Sequence, residues 1–177
     1  MTKMHEDSAA VIRPLREGEA HLLEDFLYEA IYVPEGVSTR PPRSIIDDDP
    51  KCRAHFEGFG TLPDDRALVA EVGGRAIGAC WVRTTDCYGR LDATTPAFAI
   101  SLYREFRGRG IGTRMLRLML EELREAGYLR VLAAFFSPRS SSKSASSIIL
   151  SLSSSDIVDT KSFGNSMCHS SVSKYHS

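Results

Sequence analysis

No fully apolar stretch in this chain of 177 residues is longer than the six residues at 131–136, against the roughly 20 that a helix needs to cross a bilayer. A helical membrane span is therefore excluded. A basic excess is also missing: 22 Lys and Arg stand against 23 Asp and Glu, for a formal net charge of −1. Such a balance carries no electrostatic footprint for a phosphate backbone, so neither nucleic acid nor membrane is an expected partner. The first ten residues hold Lys3, His5, Glu6 and Asp7 and no apolar centre, unlike a secretory signal, and a cytoplasmic location is the expectation. Cysteines are few, and Cys52, Cys80, Cys87 and Cys168 fall at no paired spacing for zinc or a redox couple. They read as unpaired thiols of a reducing compartment. What remains is the composition of a soluble globular protein, 42% hydrophobic and 25% charged, long enough to bury a core without disulfides or metals.

The patterning predicts an alternation of strands and helices. Val11-Ile12-Arg13-Pro14-Leu15 reads as a first strand. Ala20, Leu22, Leu23, Phe26, Leu27 and Ile31 recur at helical spacing, and Glu24, Asp25 and Glu29 form an opposite face expected to be solvated. Prolines at 34, 41, 42, 50 and 63 break the next stretch into pieces, with short helices expected over 44–49 and 51–57. Residues 67–72 and 75–83 read as two strands of a tight hairpin joined by Gly73-Gly74. Gly78 inside the second of these predicts a bulge or a close backbone approach. Residues 96–102 form a fourth strand. An amphipathic helix then runs over 111–126 on Ile111, Met115, Leu118, Met119 and Leu123, with Gly127 as its cap, and a strand follows to residue 136. The order is that of a layered α/β domain.

At the junction of the fourth strand and the long helix lies Arg107-Gly108-Arg109-Gly110-Ile111-Gly112-Thr113. A helix start presents unsatisfied N–H groups and the positive end of the helix dipole. Three glycines in five positions let an anion reach the main chain, and Arg107, Arg109 and Arg114 add positive charge. A nucleoside-triphosphate loop needs a Lys that is absent here. A dinucleotide fingerprint needs glycine at position 113, where Thr113 stands, and an acidic residue about twenty positions on, where the chain is apolar. A tight loop with no ligand is the remaining alternative from the residues alone.

With its context, the stretch from Ile100 to Leu116 resembles the acetyl-CoA-binding motif of the GNAT superfamily of N-acetyltransferases. That motif is Arg/Gln-x-x-Gly-x-Gly/Ala after strand four, matched by Arg107, Gly110 and Gly112, and the resemblance spans residues 10–136. It implies a mixed, largely antiparallel central sheet flanked by helices, over a domain at 1–136. It implies acetyl-CoA as cosubstrate, its pyrophosphate on the loop of Arg107, Gly108, Arg109, Gly110, Ile111, Gly112 and Thr113, its pantetheine along Ile100, Ser101 and Leu102. The acceptor it implies is a primary amine of a small molecule or peptide, which attacks the thioester directly in a cleft between strands four and five. An alkyl amine must first lose a proton, at a cost of about 4 kcal/mol at pH 7. The glutamate that many relatives carry at the start of strand four is replaced by Pro96-Ala97, leaving Asp92 and Tyr88, and beyond them Glu71, as candidate bases or relays. The resemblance admits a homodimer.

The family's acid tyrosine, on a helix after strand five, has no counterpart. Serine instead makes up 17 of the 41 residues at 137–177, against 4 of the preceding 136. Two readings of this atypical segment stand: a flexible polar tail, or a change of reading frame. The apolar residues 148–150 and 156–158 are expected to pair as short strands. The loss of the helix leaves two further alternatives open, a non-catalytic acyl-CoA-binding module and an inactive product with an altered C-terminus. Acidic residues at 47–49, 64 and 65 mildly favour a cationic acceptor.

Overall fold

The computed structural model describes residues 9–31, 40–86, 92–136 and 145–152. Its elements follow the sequence pattern closely. They are β1 (Val11–Pro14), α1 (His21–Ala30), α2 (Ser44–Asp47), α3 (Pro50–Arg53), β2 (Arg66–Val72), β3 (Arg75–Arg83), β4 (Ala97–Leu102), α4 (Ile111–Glu125), β5 (Arg130–Phe136) and β6 (Ala145–Ser151). The six strands lie in one sheet in chain order. Every pairing is antiparallel except β4 with β5, which the intervening α4 makes parallel. This is the mixed, largely antiparallel sheet expected.

Alternation along the strands divides the core in two. On one face Leu68, Ala70, Cys80, Val82, Phe98 and Leu102 pack against Met115, Met119 and Leu123 of α4. On the other, Val69, Ala79, Trp81 and Ala99 pack against Leu23, Phe26 and Leu27 of α1. The central strands are thus buried on both faces and fixed by a helix on each side. Gly78 satisfies both expectations made of it. It follows the point where the β2–β3 register shifts, and a Cβ there would lie 2.7 Å from Ser101 O and 2.4 Å from Leu102 Cδ2. The bare backbone lets β3 and β4 approach.

Two elements differ from expectation. The helix expected over 51–57 stops at Arg53, although Asp49 caps it by accepting from Lys51 N–H at 3.0 Å. Past Arg53 the backbone bonds tighten to i→i+3, from His55 N–H to Cys52 O and from Phe56 N–H to Arg53 O, and the buried Arg83 guanidinium donates to the carbonyls of Ala54, Glu57 and Gly58 and lies 3.1 Å from Asp65 Oδ1. Residues 148–150, expected to pair with 156–158, sit in β6, paired with β5 from Phe136 back to Arg130. The expected partner strand at 156–158 lies outside the described residues.

Candidate functional site

β4 and β5 share only two register pairs, Ala97 with Leu132 and Phe98 with Ala133. Beyond them β5 stays with β6 and β4 stays with β3, so the two central strands part. Hydrogen bonds at either end of β4 set which backbone groups the parting leaves. Tyr103 N–H donates to Ile77 O, and Leu132 N–H donates to Pro96 O. Alternation then turns the groups of residues 99, 101 and 103 towards β3 and those of 98, 100 and 102 towards β5. Leu102 O accepts from Arg107 Nε at 2.8 Å. The N–H and C=O of Ile100 and the N–H of Leu102 face the gap with no ladder partner in β5. Unpaired backbone groups inside a sheet are costly, so a ligand bearing amides gains by entering.

The end of this gap leads into the glycine loop. After a single 3₁₀ turn at Arg104–Phe106 the chain enters α4 through Gly110. Gly108 and Gly110 have φ of +74° and +76°, a region costing other residues about 1–2 kcal/mol. A Cβ on either would meet nothing within 4 Å. The space above both is therefore open, and their backbone is reachable. Gly112 is different, since a Cβ there would lie 3.3 Å from Leu102 Cδ1, which brings the start of α4 close onto β4.

Among the described residues no side chain caps α4, and no acidic residue occupies its first turn. The first bond across the helix start runs from Arg114 N–H to Gly110 O, which leaves the N–H groups of Ile111, Gly112 and Thr113 directed outward. Arg107 is half-exposed, Arg109 lies over the Phe106 ring at 5.5 Å, and Arg114 donates to Ala10 O at 3.3 Å. Open glycines, free amides and three arginines suit a diphosphate, and the unpaired groups of β4 suit the amides of a pantetheine arm.

The other expected residues fall elsewhere. Ile100 and Leu102 turn backbone groups to the gap, but Ser101 turns its own to β3. Its side chain lies on the α1 face, buried, with no hydrogen-bond partner for Oγ among the described residues. Asp92 binds its own loop: Oδ1 accepts from Thr94 N–H, Thr94 Oγ1 and Thr95 N–H at 2.8, 2.9 and 2.7 Å, and Oδ2 from Thr95 Oγ1 at 3.0 Å. Arg130 Nη2 stands 3.3 Å from Oδ2. The bonds from Thr94, backbone first, and then from Thr95 pull the Asp92 pKa down to about 2. A carboxylate that holds its proton so weakly is a poor general base at neutral pH. Tyr88 lies outside the described residues. Glu71 is occupied by Arg13 at 2.7 Å on β1. Of the acidic run at 47–49, Asp47 and Asp48 are exposed while Asp49 is buried as the α3 cap.

Sequence reasoning missed one participant. The acidic face of α1 is not merely solvated: Glu29 Oε1 accepts from Arg107 Nη2 at 3.1 Å, and Oε2 from Arg40 Nη2 at 2.7 Å. With Glu29 and Arg107 78 positions apart, no local spacing signals the pair. A surface concavity of about 490 Å³ lies elsewhere, lined by Pro14, Arg16, Phe59, Asp65 and Glu122 among others, and takes in no residue of β4 or the glycine loop. Among the described residues no group of three or more His, Cys, Asp or Glu could hold a metal ion. No described helix is long and apolar enough to cross a membrane.

Among solved structures, an acetyltransferase of the GNAT family from Staphylococcus aureus Mu50 superposes with a TM-score of 0.52 at 15% identity, over 72% of this chain and 74% of that one. An N-acetyltransferase from the same organism gives 0.48 at 20% identity, over 75% and 76%. A GNAT family acetyltransferase from Brucella melitensis, solved in complex with acetyl-CoA, gives 0.47 at 22% identity, over 71% and 75%. No curated protein matches the sequence. The sequence model of the acetyltransferase (GNAT) family matches residues 28–142, from within α1 to beyond β5, and the chain belongs to that family.

Proposed function

We propose that the chain transfers the acetyl group of acetyl-CoA to a primary amine of a small molecule or peptide, by direct attack of the amine, in the cytoplasm. One observation carries the reading: the uncapped, glycine-opened start of α4 stands at the end of β4, where β4 and β5 part. The residues divide the work along that line. The amides from Gly108 to Thr113, with Arg107, hold a diphosphate, and the unpaired groups of Ile100 and Leu102 hold the amides of the pantetheine arm. The cosubstrate supplies an activated thioester. An N–H of β4 facing the gap is a fixed donor for negative charge developing on the thioester oxygen, and needs no reorganisation to act.

The proton of the attacking amine is a separate matter. Removing it costs about 4 kcal/mol at pH 7 for an amine of pKa near 10. Asp92, with a pKa near 2, gains little by taking it, so the reading gives Asp92 the task of ordering the approach to β4 and gives deprotonation to a water relay. The domain proposed to do this spans β1 to β6, into the serine-rich segment.

Calorimetric titration with acetyl-CoA and with CoA, followed by a thiol-release assay over a panel of amines, tests the proposal. Binding with turnover on at least one amine is expected. Binding with no turnover on any amine would favour a non-catalytic acyl-CoA-binding module, and no binding would refute both.

A further inference from the structure

Arg107 is tied at two points rather than one. Its Nε donates to Leu102 O at 2.8 Å, at the last residue of β4, and its Nη2 donates to Glu29 Oε1 at 3.1 Å, in the last turn of α1. The side chain thus runs from the glycine loop across the mouth of the gap to the helix on the other face of the sheet. Glu29 is held in turn by Arg40, whose Nη2 stands 2.7 Å from Oε2. Only 13% of the Glu29 side chain is exposed, against 50% for Arg107.

A carboxylate beside an anion site can act in two opposite ways. It can repel the incoming phosphate and occupy its arginine, or it can hold the arginine where the phosphate arrives. The geometry decides for the second. Two of the five guanidinium N–H groups of Arg107 are committed, which leaves both on Nη1 and one on Nη2 for a ligand. Half of the side chain is open to solvent, so a ligand reaches these without displacing Glu29. The charge of Glu29 is already met by Arg40, so the set of two arginines and one glutamate keeps a net positive charge. A long side chain held beforehand loses less freedom when it binds.

We propose that Glu29 is a positioning residue for cofactor binding: from α1, it fixes the Arg107 guanidinium at the mouth of the β4–β5 gap for a diphosphate-bearing acyl donor. The inference rests on the reading of the loop as the diphosphate site. Glu29 makes no contact with the reacting atoms, and its effect passes through Arg107 alone. It also ties α1 to the loop that enters α4.

The test is calorimetric titration of the full chain with CoA and with pantetheine, which lacks the diphosphate. Glu29→Gln keeps the shape and removes the charge, and Glu29→Asp keeps the charge and withdraws it by one methylene. Both are expected to weaken CoA binding about tenfold, which is about 1.4 kcal/mol, and to leave pantetheine binding as it was. In Glu29→Gln/Arg107→Ala the loss should be no greater than in Arg107→Ala alone. Equal weakening for CoA and pantetheine would make Glu29 a merely structural residue and overturn the proposal, as would tighter CoA binding in Glu29→Gln. Arg107→Ala separates the two levels of inference. If it leaves CoA affinity unchanged, the loop reading itself fails. If it weakens CoA binding while both Glu29 variants match the parent, only the positioning role fails.

Discussion

Replacing Gly78 by alanine adds one methyl group where β3 and β4 come closest. The new Cβ would stand 2.7 Å from Ser101 O and 2.4 Å from Leu102 Cδ2, both well inside ordinary contact distance. Leu102 Cδ2 ends a side chain and can rotate. Ser101 O is backbone, and its carbonyl is directed at β3, so relief there requires β4 itself to move away. Overpacking of this kind costs about 1–3 kcal/mol, and a main-chain clash puts Gly78→Ala near the upper end, about 3 kcal/mol. For a chain of this size each kcal/mol lowers the melting temperature by about 2–4 °C. A fall of about 6–12 °C is expected.

The direction of the movement gives the prediction its second half. β4 pushed away from β3 moves towards β5 and narrows the gap that Ile100 and Leu102 line, so acetyl-CoA affinity should fall at least about tenfold. Gly73→Ala is the control. Its φ is +58° and its Cβ would meet nothing within 4 Å, so it costs about 1–2 kcal/mol of backbone strain and should leave acetyl-CoA affinity unchanged. Thermal unfolding and calorimetry on the two variants suffice. A Gly78→Ala protein melting within about 2 °C of the parent would refute the crowding argument. A large fall in melting temperature with full acetyl-CoA affinity would detach β4 from binding.

Three further outcomes are expected. Gly110→Asp, placed in open space at φ +76°, should fold with a loss of only about 1 kcal/mol yet weaken acetyl-CoA binding about a hundredfold or more, because its carboxylate meets the diphosphate; calorimetry with unchanged affinity would show the loop to be misassigned. His55, buried and facing the charge of Arg83, has its pKa lowered to about 4. It is neutral in the folded protein, while the unfolded chain takes up a proton below about pH 6.5, so its contribution is whole above that pH and is lost as pH falls towards 4; at pH 5 the loss is about 2 kcal/mol, and urea unfolding of His55→Gln should lack this increment. Asp65→Asn leaves the Arg83 charge, 5% exposed, without its counter-ion and should cost about 3 kcal/mol; a cost under about 1 kcal/mol in denaturant unfolding would mean the three carbonyls at 54, 57 and 58 suffice for Arg83.

The sequence disclosed most where a requirement is local. The Gly73-Gly74 turn and the glycine loop depend on residues a few positions apart and stand where their patterns indicated, and the α4 stripe does so but for Leu118, which is exposed while Leu116 and Leu120 are buried in its place. What stayed hidden is set by contacts between distant segments. Arg83 reaches back 25 to 29 residues to take three carbonyls in the turns that follow α3. Glu29 reads as one more acid on a polar face until Arg107 is brought beside it. Asp92 carries the chemistry of a base, and only its four loop bonds reveal how far its pKa has fallen. Residues 148–150 were recognisably strand-forming, but only the assembled sheet gives them β5 as a partner.

The gap between β4 and β5, which the family resemblance implies, cannot be read from its own side chains, and for a different reason. Nothing about the side chains of Ile100, Ser101 and Leu102 marks a binding site, because what faces the gap is main chain. Their apolar character answers to packing: Leu102 is buried against α4 and Ala99 against α1. Those two contacts hold the strand while β5 turns away towards β6. If the donor is recognised by backbone groups, any side chain that packs equally well at 100 or 102 preserves the site, and sequence pattern alone cannot single out these positions. The loop is the exception, since its backbone conformation at Gly108 and Gly110 requires positive φ and open space at once. A requirement on backbone becomes visible in sequence only where it excludes side chains. That is why the loop proposed for the diphosphate can be read from glycines, while the end proposed for the thioester needs the strands themselves or the family's example.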